Sequence, residues 1–169
     1  ALTDVWALCG FRASAEAAEL LGGLDLAALE PVVGHLRHGD LAAALAWLLR
    51  VPAAERPALA AAIAEEVADA DPADLGDPRT WVARIAAAFP GDPLAVAPLL
   101  LHVVHLAPGE AVHLPARNLH AYLSGTGVEL MAASDNVLRG GLTPKHVDVD
   151  ELLEVLHFEP GTPPPPARR

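Results

Sequence analysis

The stretch that decides the fold lies in the last third of the chain, where residues 108–124 read PGEAVHLPARNLHAYLS. Short apolar runs at 101–106, 111–114, 119–124 and 128–132 are separated by turn residues, among them Pro108-Gly109, Pro115-Ala116 and Gly125-Thr126-Gly127. Within 119–124, apolar residues alternate with polar ones and so face the opposite side of a strand. Leu119, Ala121 and Leu123 form one set, and His120, Tyr122 and Ser124 form the other. Strands of this length and spacing predict a small antiparallel β-barrel or jelly roll.

The remainder of the chain carries a different pattern, so the predicted class is α+β. Residues 1–11 predict a strand of the same barrel, ending at Gly10. Residues 12–90 predict a helical domain with clear start and stop signals. Its helices should run from Ser14 to Gly22-Gly23, from Pro31, from Asp40 to Arg50, over 55–70, and from Asp77-Pro78 to Phe89. Residues 91–159 then supply the rest of the barrel with a closing helix at 150–156, and 160–169 form a proline-rich linker or tail.

Composition narrows the classes of function. The 169 residues are 53% hydrophobic and carry a formal charge of −11, which disfavours nucleic acid as a partner. No apolar run approaches the roughly 20 residues of a membrane helix, and no signal peptide is recognisable. Cys9 is the single cysteine, so no internal disulfide forms, and a buried apolar thiol is expected rather than a nucleophile. A cytoplasmic protein is the expectation.

Two motifs in the last third carry a resemblance to known families. Gly109, Pro115 and His120 match the second motif of the cupin superfamily, although Arg117 stands where that motif has glycine. Residues 120–145, HAYLSGTGVELMAASDNVLRGGLTPK, resemble the signature of type I mannose-6-phosphate isomerases. The resemblance implies a cupin-type barrel with an inserted helical domain. It also implies zinc-assisted interconversion of mannose 6-phosphate and fructose 6-phosphate, with a proton moving between C1 and C2.

The same resemblance implies a role for each matching residue. His120 becomes a zinc ligand, and a neutral imidazole is a suitable donor for that metal. Arg139 becomes the cation that stabilises a developing enediolate. Asp135 and Glu129 become candidate acid/base or hydroxyl-binding carboxylates, and Tyr122 lines the substrate pocket. Lys145, the single lysine of the chain, becomes the partner of the sugar phosphate.

Simpler interpretations stand beside these roles. Asp135 and Asn136 are ordinary turn residues in other contexts, and Arg139 and Lys145 are ordinary surface cations. Outside the resemblance, His120 is equally a polar residue on a half-buried strand. The remaining histidines are predicted to be structural or exposed: His35, His38, His102, His105, His113, His146 and His157. The Ser134-Asp135-Asn136 element lacks the partner motifs of β-lactamases.

Two other functions compete with the isomerase. One is a non-catalytic cupin-like sugar-binding module, and the other is an iron-dependent cupin oxygenase, whose facial triad we cannot find. The resemblance places Gln-Ala-His-Pro and His-Lys-Pro-Glu segments before residue 1, and neither occurs here. Those segments supply the other zinc ligands and further strands. We therefore expect an inactive fragment whose barrel is completed by missing segments of the same polypeptide.

Overall fold

The computed structural model describes residues 1–131, 133, 137–143, 145–161 and 167–168. The chain begins with strand β1 (Val5–Phe11) and continues through helices α1 (Ser14–Gly22), α2 (Glu30–Arg37), α3 (Leu41–Leu49), α4 (Arg56–Glu66) and α5 (Pro78–Ala88). A 3-10 turn (Pro93–Val96) and α6 (Ala97–Leu100) lead into strands β2 (Leu101–Leu106), β3 (Glu110–Ala111) and β4 (His120–Ser124). Helix α7 (Val149–Val155) and the short β5 (Ala167–Arg168) follow. No helix in these ranges is long and apolar enough to cross a membrane.

Local capping explains where the helices begin. Asp40 accepts a hydrogen bond from Ala43 N at 2.8 Å, and Asp77 accepts one from Arg79 N at 2.8 Å. These bonds satisfy amide groups that the first helical turn leaves free. The predicted starts of α3 and α5 are thereby confirmed. Helices α1 and α2 begin at Ser14 and Glu30, within one residue of their predicted starts and without a side-chain cap. The helix predicted over 55–70 is wrong at its end, since α4 stops at Glu66 and the backbone continues in turns with Ala68 N bonded to Glu65 O and Ala70 N bonded to Val67 O.

The central sheet is antiparallel with the strand order β2–β1–β4. β1 runs one residue beyond its predicted end, since Gly10 adopts a φ of 69° at an irregularity in the register and Phe11 pairs again with Leu101. β3 is shorter than the predicted run at 111–114 and pairs with β5 of the tail. The strand predicted at 128–132 is wrong for its described residues, 128–131, which are irregular.

Each face of this sheet packs against a different part of the protein. Leu8 and Phe11 of β1 join the large core formed with the helices. A smaller cluster covers the opposite face and consists of Val5, Ala7, Cys9, Val104 and Leu106. The predicted mixture of helices and sheet is confirmed, and the sheet is open in the described part of the chain. We call these the helical face and the site face.

Residues after β4 contact both the helical domain and β1. Arg50 pairs with Asp150 at 2.6 Å, which ties α3 to α7. Phe158 stacks on Phe11 with 5.3 Å between ring centroids, and Gly161 N donates to Phe11 O at 3.2 Å. These contacts join α7 to the helical domain and the chain beyond α7 to β1.

Candidate active site

Strand β4 presents the first two candidate side chains. Its alternation is confirmed, since Ala121 and Leu123 pack against the helical core while His120 and Tyr122 are exposed. His120 lies opposite Cys9 and Tyr122 lies opposite Ala7 in the register with β1. Because side chains opposite each other across an antiparallel pair share a face, both candidates lie on the site face.

Glu129 reaches the same place from an irregular segment. The chain turns back at Gly125, whose φ is 102° and where a Cβ would lie 2.2 Å from Asp4 O, so the turn requires glycine. Tyr122 Oη donates to Glu129 Oε1 at 2.7 Å, and His120 Nε2 lies 3.7 Å from the same oxygen. The structure thus brings together three residues predicted from the sequence. We call His120, Tyr122 and Glu129 the β4 cluster.

The backbone fixes the orientation of the His120 ring. Its Nδ1 lies 3.0 Å from the carbonyl oxygen of Asn118. A carbonyl can only accept, so Nδ1 carries the proton and, in the neutral ring, Nε2 keeps its lone pair. A metal-binding histidine commonly has this arrangement, with one nitrogen held by an acceptor and the other free for the metal. Asn118 was missed from sequence because the contact uses its backbone.

Burial and hydrogen bonding raise the pKa values of Tyr122 and Cys9 on this face. Desolvation, followed by the hydrogen bond to Glu129, raises the pKa of Tyr122 to about 12. Tyr122 therefore stays a neutral hydroxyl that donates to the carboxylate at physiological pH. Burial raises the pKa of Cys9 to about 11, so the predicted inert, buried thiol is confirmed.

The other predicted site residues lie away from the β4 cluster. Arg139 and Lys145 are exposed, and neither has a hydrogen bond or ion pair to the cluster among the described residues. Asp135 lies outside the described residues. The backbone that carries Arg139 is nevertheless fixed, because Leu142 N donates to Asp92 Oδ2 at 3.3 Å. Sequence reasoning missed Asp92, which sits in Gly91-Asp92-Pro93 and there resembles a simple turn residue.

The remaining histidines lie outside this cluster. His105 Nε2 lies 2.8 Å from Asp4 Oδ1, and its ring stacks on Trp6. His38 Nδ1 lies 2.8 Å from the Gly34 carbonyl. In the described ranges, no three side chains of histidine, cysteine, aspartate or glutamate lie close enough together to hold a metal ion.

Comparisons with known proteins give consistent results. No protein-family model matches the chain. The chain is 40% identical over 163 residues to mannose-6-phosphate isomerase of Escherichia coli K12, covering 94% of this chain and 40% of that protein. It is 52% identical over 79 residues to a probable mannose-6-phosphate isomerase of Echinococcus multilocularis, covering 47% of this chain and 18% of that protein.

Solved structures show the same similarity in three dimensions. Mannose 6-phosphate isomerase of Salmonella typhimurium, solved with zinc and with fructose 6-phosphate and zinc, superposes with a TM-score of 0.83 at 36% identity. Each comparison covers 95% of this chain and 41% of that structure. The resemblance drawn from residues 120–145 is confirmed and extends over nearly the whole chain. The chain spans about two fifths of the length of these relatives.

Proposed function

We propose that this chain is part of a zinc-dependent mannose-6-phosphate isomerase, which interconverts mannose 6-phosphate and fructose 6-phosphate. The observation that carries the proposal is similarity over 95% of the chain to a structure containing both zinc and fructose 6-phosphate. The β4 cluster supports it, because a metal-competent imidazole lies beside a carboxylate and a neutral hydroxyl. Nothing in these comparisons favours a non-catalytic sugar-binding module.

The proposal includes the architecture expected from the sequence. Residues 1–11 and 91–159 contribute to a cupin-type barrel, 12–90 form the inserted helical domain, and 160–169 form a tail. Two features support a larger sheet: β2 and β4 are its outer strands in the described chain, and the relatives are much longer. Further segments of the same polypeptide would pair with these edges, which otherwise expose unpaired backbone groups. A cytoplasmic location remains a prediction.

His120 fits the part of a zinc ligand. Its Nδ1 is held by Asn118 O, and a neutral ring offers Nε2 to a metal. Catalytic zinc usually has three protein ligands, so the others would come from further segments of the polypeptide. When bound, zinc would act as a Lewis acid toward the sugar oxygens.

Other side chains of this chain would transfer the proton, stabilise the developing charge and bind the phosphate. Glu129, or Asp135, would take the proton from C2 of mannose 6-phosphate, and the returning proton would go to C1. Tyr122, held neutral by its raised pKa, would donate a hydrogen bond to a sugar hydroxyl or to Glu129. Arg139 would stabilise the negative charge that develops on the enediolate oxygens. Lys145 would bind the phosphate as a point charge.

The decisive experiment compares two histidines in the longest natural polypeptide that contains this chain. His120→Asn should lower both zinc content and isomerisation of mannose 6-phosphate by at least about tenfold, the lower limit for disturbing a metal's outer shell. His113→Asn, an exposed histidine seven positions earlier, is the matched control and should change neither. Equal losses in both variants, or no activity in the parent protein, would reject the proposal.

A second measurement tests whether the β4 cluster suffices for metal binding. The 169-residue chain, dialysed against a weak chelator, should retain no stoichiometric zinc, because one imidazole binds the metal too weakly. Stoichiometric zinc together with rapid turnover would contradict the proposal that further segments complete the site.

A further inference from the structure

The segment that carries Arg139, residues 138–142, is held by the backbone and by packing. We call it the Arg139 loop. Leu138 and Leu142 both pack against the helical core, although both are only partly buried. Leu142 has a φ of 51°, a left-handed conformation that a leucine rarely adopts. Such a conformation persists only where its surroundings impose it.

Two glycines bring the Arg139 loop close to neighbouring elements. A Cβ at Gly140 would lie 2.8 Å from Leu119 Cδ1, next to His120 in the sequence. A Cβ at Gly141 would lie 2.2 Å from Leu94 Cδ1, and its φ of 113° favours glycine as well. The loop is thus wedged between the start of β4 and the 3-10 turn of Pro93–Val96.

The Asp92 carboxylate joins the helical domain to this loop. Its Oδ1 accepts from Arg56 Nη2 at 2.7 Å and from Leu94 N at 3.0 Å. Its Oδ2 accepts from Leu142 N at 3.3 Å. The side chain is 19% exposed, and charge-assisted hydrogen bonds away from bulk water are comparatively strong. One carboxylate oxygen therefore binds α4 and the 3-10 turn, and the other binds the Arg139 loop.

We propose that Asp92 is a positioning residue, which holds the Leu142 amide and so fixes where the Arg139 loop presents its guanidinium. The inference rests on the proposed function, in which Arg139 is the catalytic cation. Arg56 of α4 supports the role by fixing the carboxylate from the opposite side. The helical domain then has a part in catalysis, because its contact with Asp92 sets the position of a site residue.

Asp92→Asn is the variant that targets the loop contact. Asparagine keeps one oxygen for Leu94 N and Arg56 Nη2, so the cap of the 3-10 turn survives, while the bond from Arg56 loses its charge assistance. Its amide nitrogen cannot accept from Leu142 N, so the link to the loop is lost. Asp77→Asn is the matched control, because Asp77 also precedes a proline and caps a helix, and its capping bond is made to Arg79 N within α5.

The first test is trypsin cleavage of the 169-residue chain after Arg139. Asp92→Asn should speed this cleavage severalfold while cleavage after Arg84, an exposed residue of α5, stays unchanged. Asp77→Asn should leave cleavage after Arg139 at the parent rate. Unchanged cleavage after Arg139 in Asp92→Asn, or faster cleavage at both sites, would overturn the role of Asp92 in holding the loop.

The second test uses turnover in the longest natural polypeptide that contains the chain. Asp92→Asn should lower kcat about tenfold and leave KM within about twofold, because misplacing a catalytic group by a fraction of an ångström is costly. In an Arg139→Ala background the same change should cost less than about twofold, since nothing remains to be positioned. Equal losses in both backgrounds would overturn the proposal. An inactive parent would reject the proposed function, and the cleavage test would still decide whether Asp92 holds the loop.

Discussion

The two faces of the β2–β1–β4 sheet differ in what covers them. The helical face packs against a continuous apolar core drawn from α1 to α6 and from α7. The site face has a buried cluster of five residues, Val5, Ala7, Cys9, Val104 and Leu106, beside the exposed β4 cluster. Stability is therefore concentrated on one side of β1, and chemically active groups are concentrated on the other.

This division shows how one strand can serve both purposes. Leu8 and Phe11 anchor β1 in the helical core, while Ala7 and Cys9 lie opposite Tyr122 and His120. A rigid strand then fixes groups that bulk solvent would otherwise leave mobile. The comparison predicts that substitutions on the helical face cost folding free energy, whereas substitutions on the site face cost activity.

The largest expected effect comes from truncating matched leucines on the two faces. Leu48 of α3 is fully buried on the helical face, and Leu106 of β2 is 6% exposed on the site face. Leu48→Ala should lower the free energy of unfolding by about 3–5 kcal/mol, and Leu106→Ala by about 2 kcal/mol, because the smaller cluster relaxes more readily around a cavity. Urea unfolding of both variants measures the difference. A larger loss for Leu106→Ala would break the comparison.

The next effect concerns activity at Arg139 and Lys145 and rests on the proposed function. Arg139→Ala should lower kcat about 100-fold, since its partner charge exists only during proton transfer. Lys145→Ala should instead raise KM about tenfold with little change in kcat, because a remote phosphate contact acts in ground and transition states alike. Steady-state kinetics with mannose 6-phosphate separate the two. The same kcat loss for both, with unchanged KM, would show that the division of roles is wrong.

The sequence predicted the helical face well because its signals are local. Asp40 and the Asp77-Pro78 pair determine helix starts through bonds to residues two or three positions away. The end of α4 could not be read this way, since no glycine or proline marks it and its terminal carbonyl at Glu66 is bound by Arg79, thirteen positions later. Long-range contacts of this kind leave no periodic pattern in the sequence.

The roles of the site-face residues were predicted from motif likeness, whereas the side of the strand on which they lie was predicted from pattern. Alternation placed His120 and Tyr122 on one side of β4, and the structure bears that out. Glu129 was expected on a neighbouring strand, yet it reaches Tyr122 from an irregular segment after Gly125. The contribution of Asp92 was not visible, because its contact with Leu142 spans fifty residues.

A smaller effect is expected from the loss of a single side-chain hydrogen bond, either at the start of α3 or in the β4 cluster. Asp40→Ala removes the N-cap of α3 and should lower the free energy of unfolding by about 1 kcal/mol. Tyr122→Phe removes the bond to Glu129, but Tyr122 is 57% exposed and water replaces its partner, so the loss should stay below about 0.5 kcal/mol. Thermal and urea unfolding report both. A greater loss for Tyr122→Phe would show that the β4 cluster contributes to stability.

The smallest effect is a pH dependence that arises on the site face. His102 precedes Val104 and Leu106 by two and four positions on β2 and so points to the same side. Burial, and then the positive charge of Arg12, lower the pKa of His102 below its ordinary value of 6.5. Contacts with the backbone at Gly161 and Phe11, and the charge of Glu16, oppose this shift without cancelling it.

The sign of the effect follows from proton linkage. Because the folded state binds the proton of His102 less well than the unfolded chain, the stability from neutral His102 is present above pH 6.5 and is lost as the pH falls below it. The ring is partly exposed, so the loss should be smaller than the roughly 1 kcal/mol of the Asp40 cap. His102→Gln should reduce the fall in unfolding free energy between about pH 7.5 and 5.5, whereas His146→Gln, at an exposed position before α7, should leave it unchanged. Urea titrations at each pH provide the measurement. If His102→Gln unfolds with the same pH dependence as the parent, His102 does not contribute to the pH dependence of the unfolding free energy. The acid sensitivity then belongs to other groups, and the two faces do not differ in this respect.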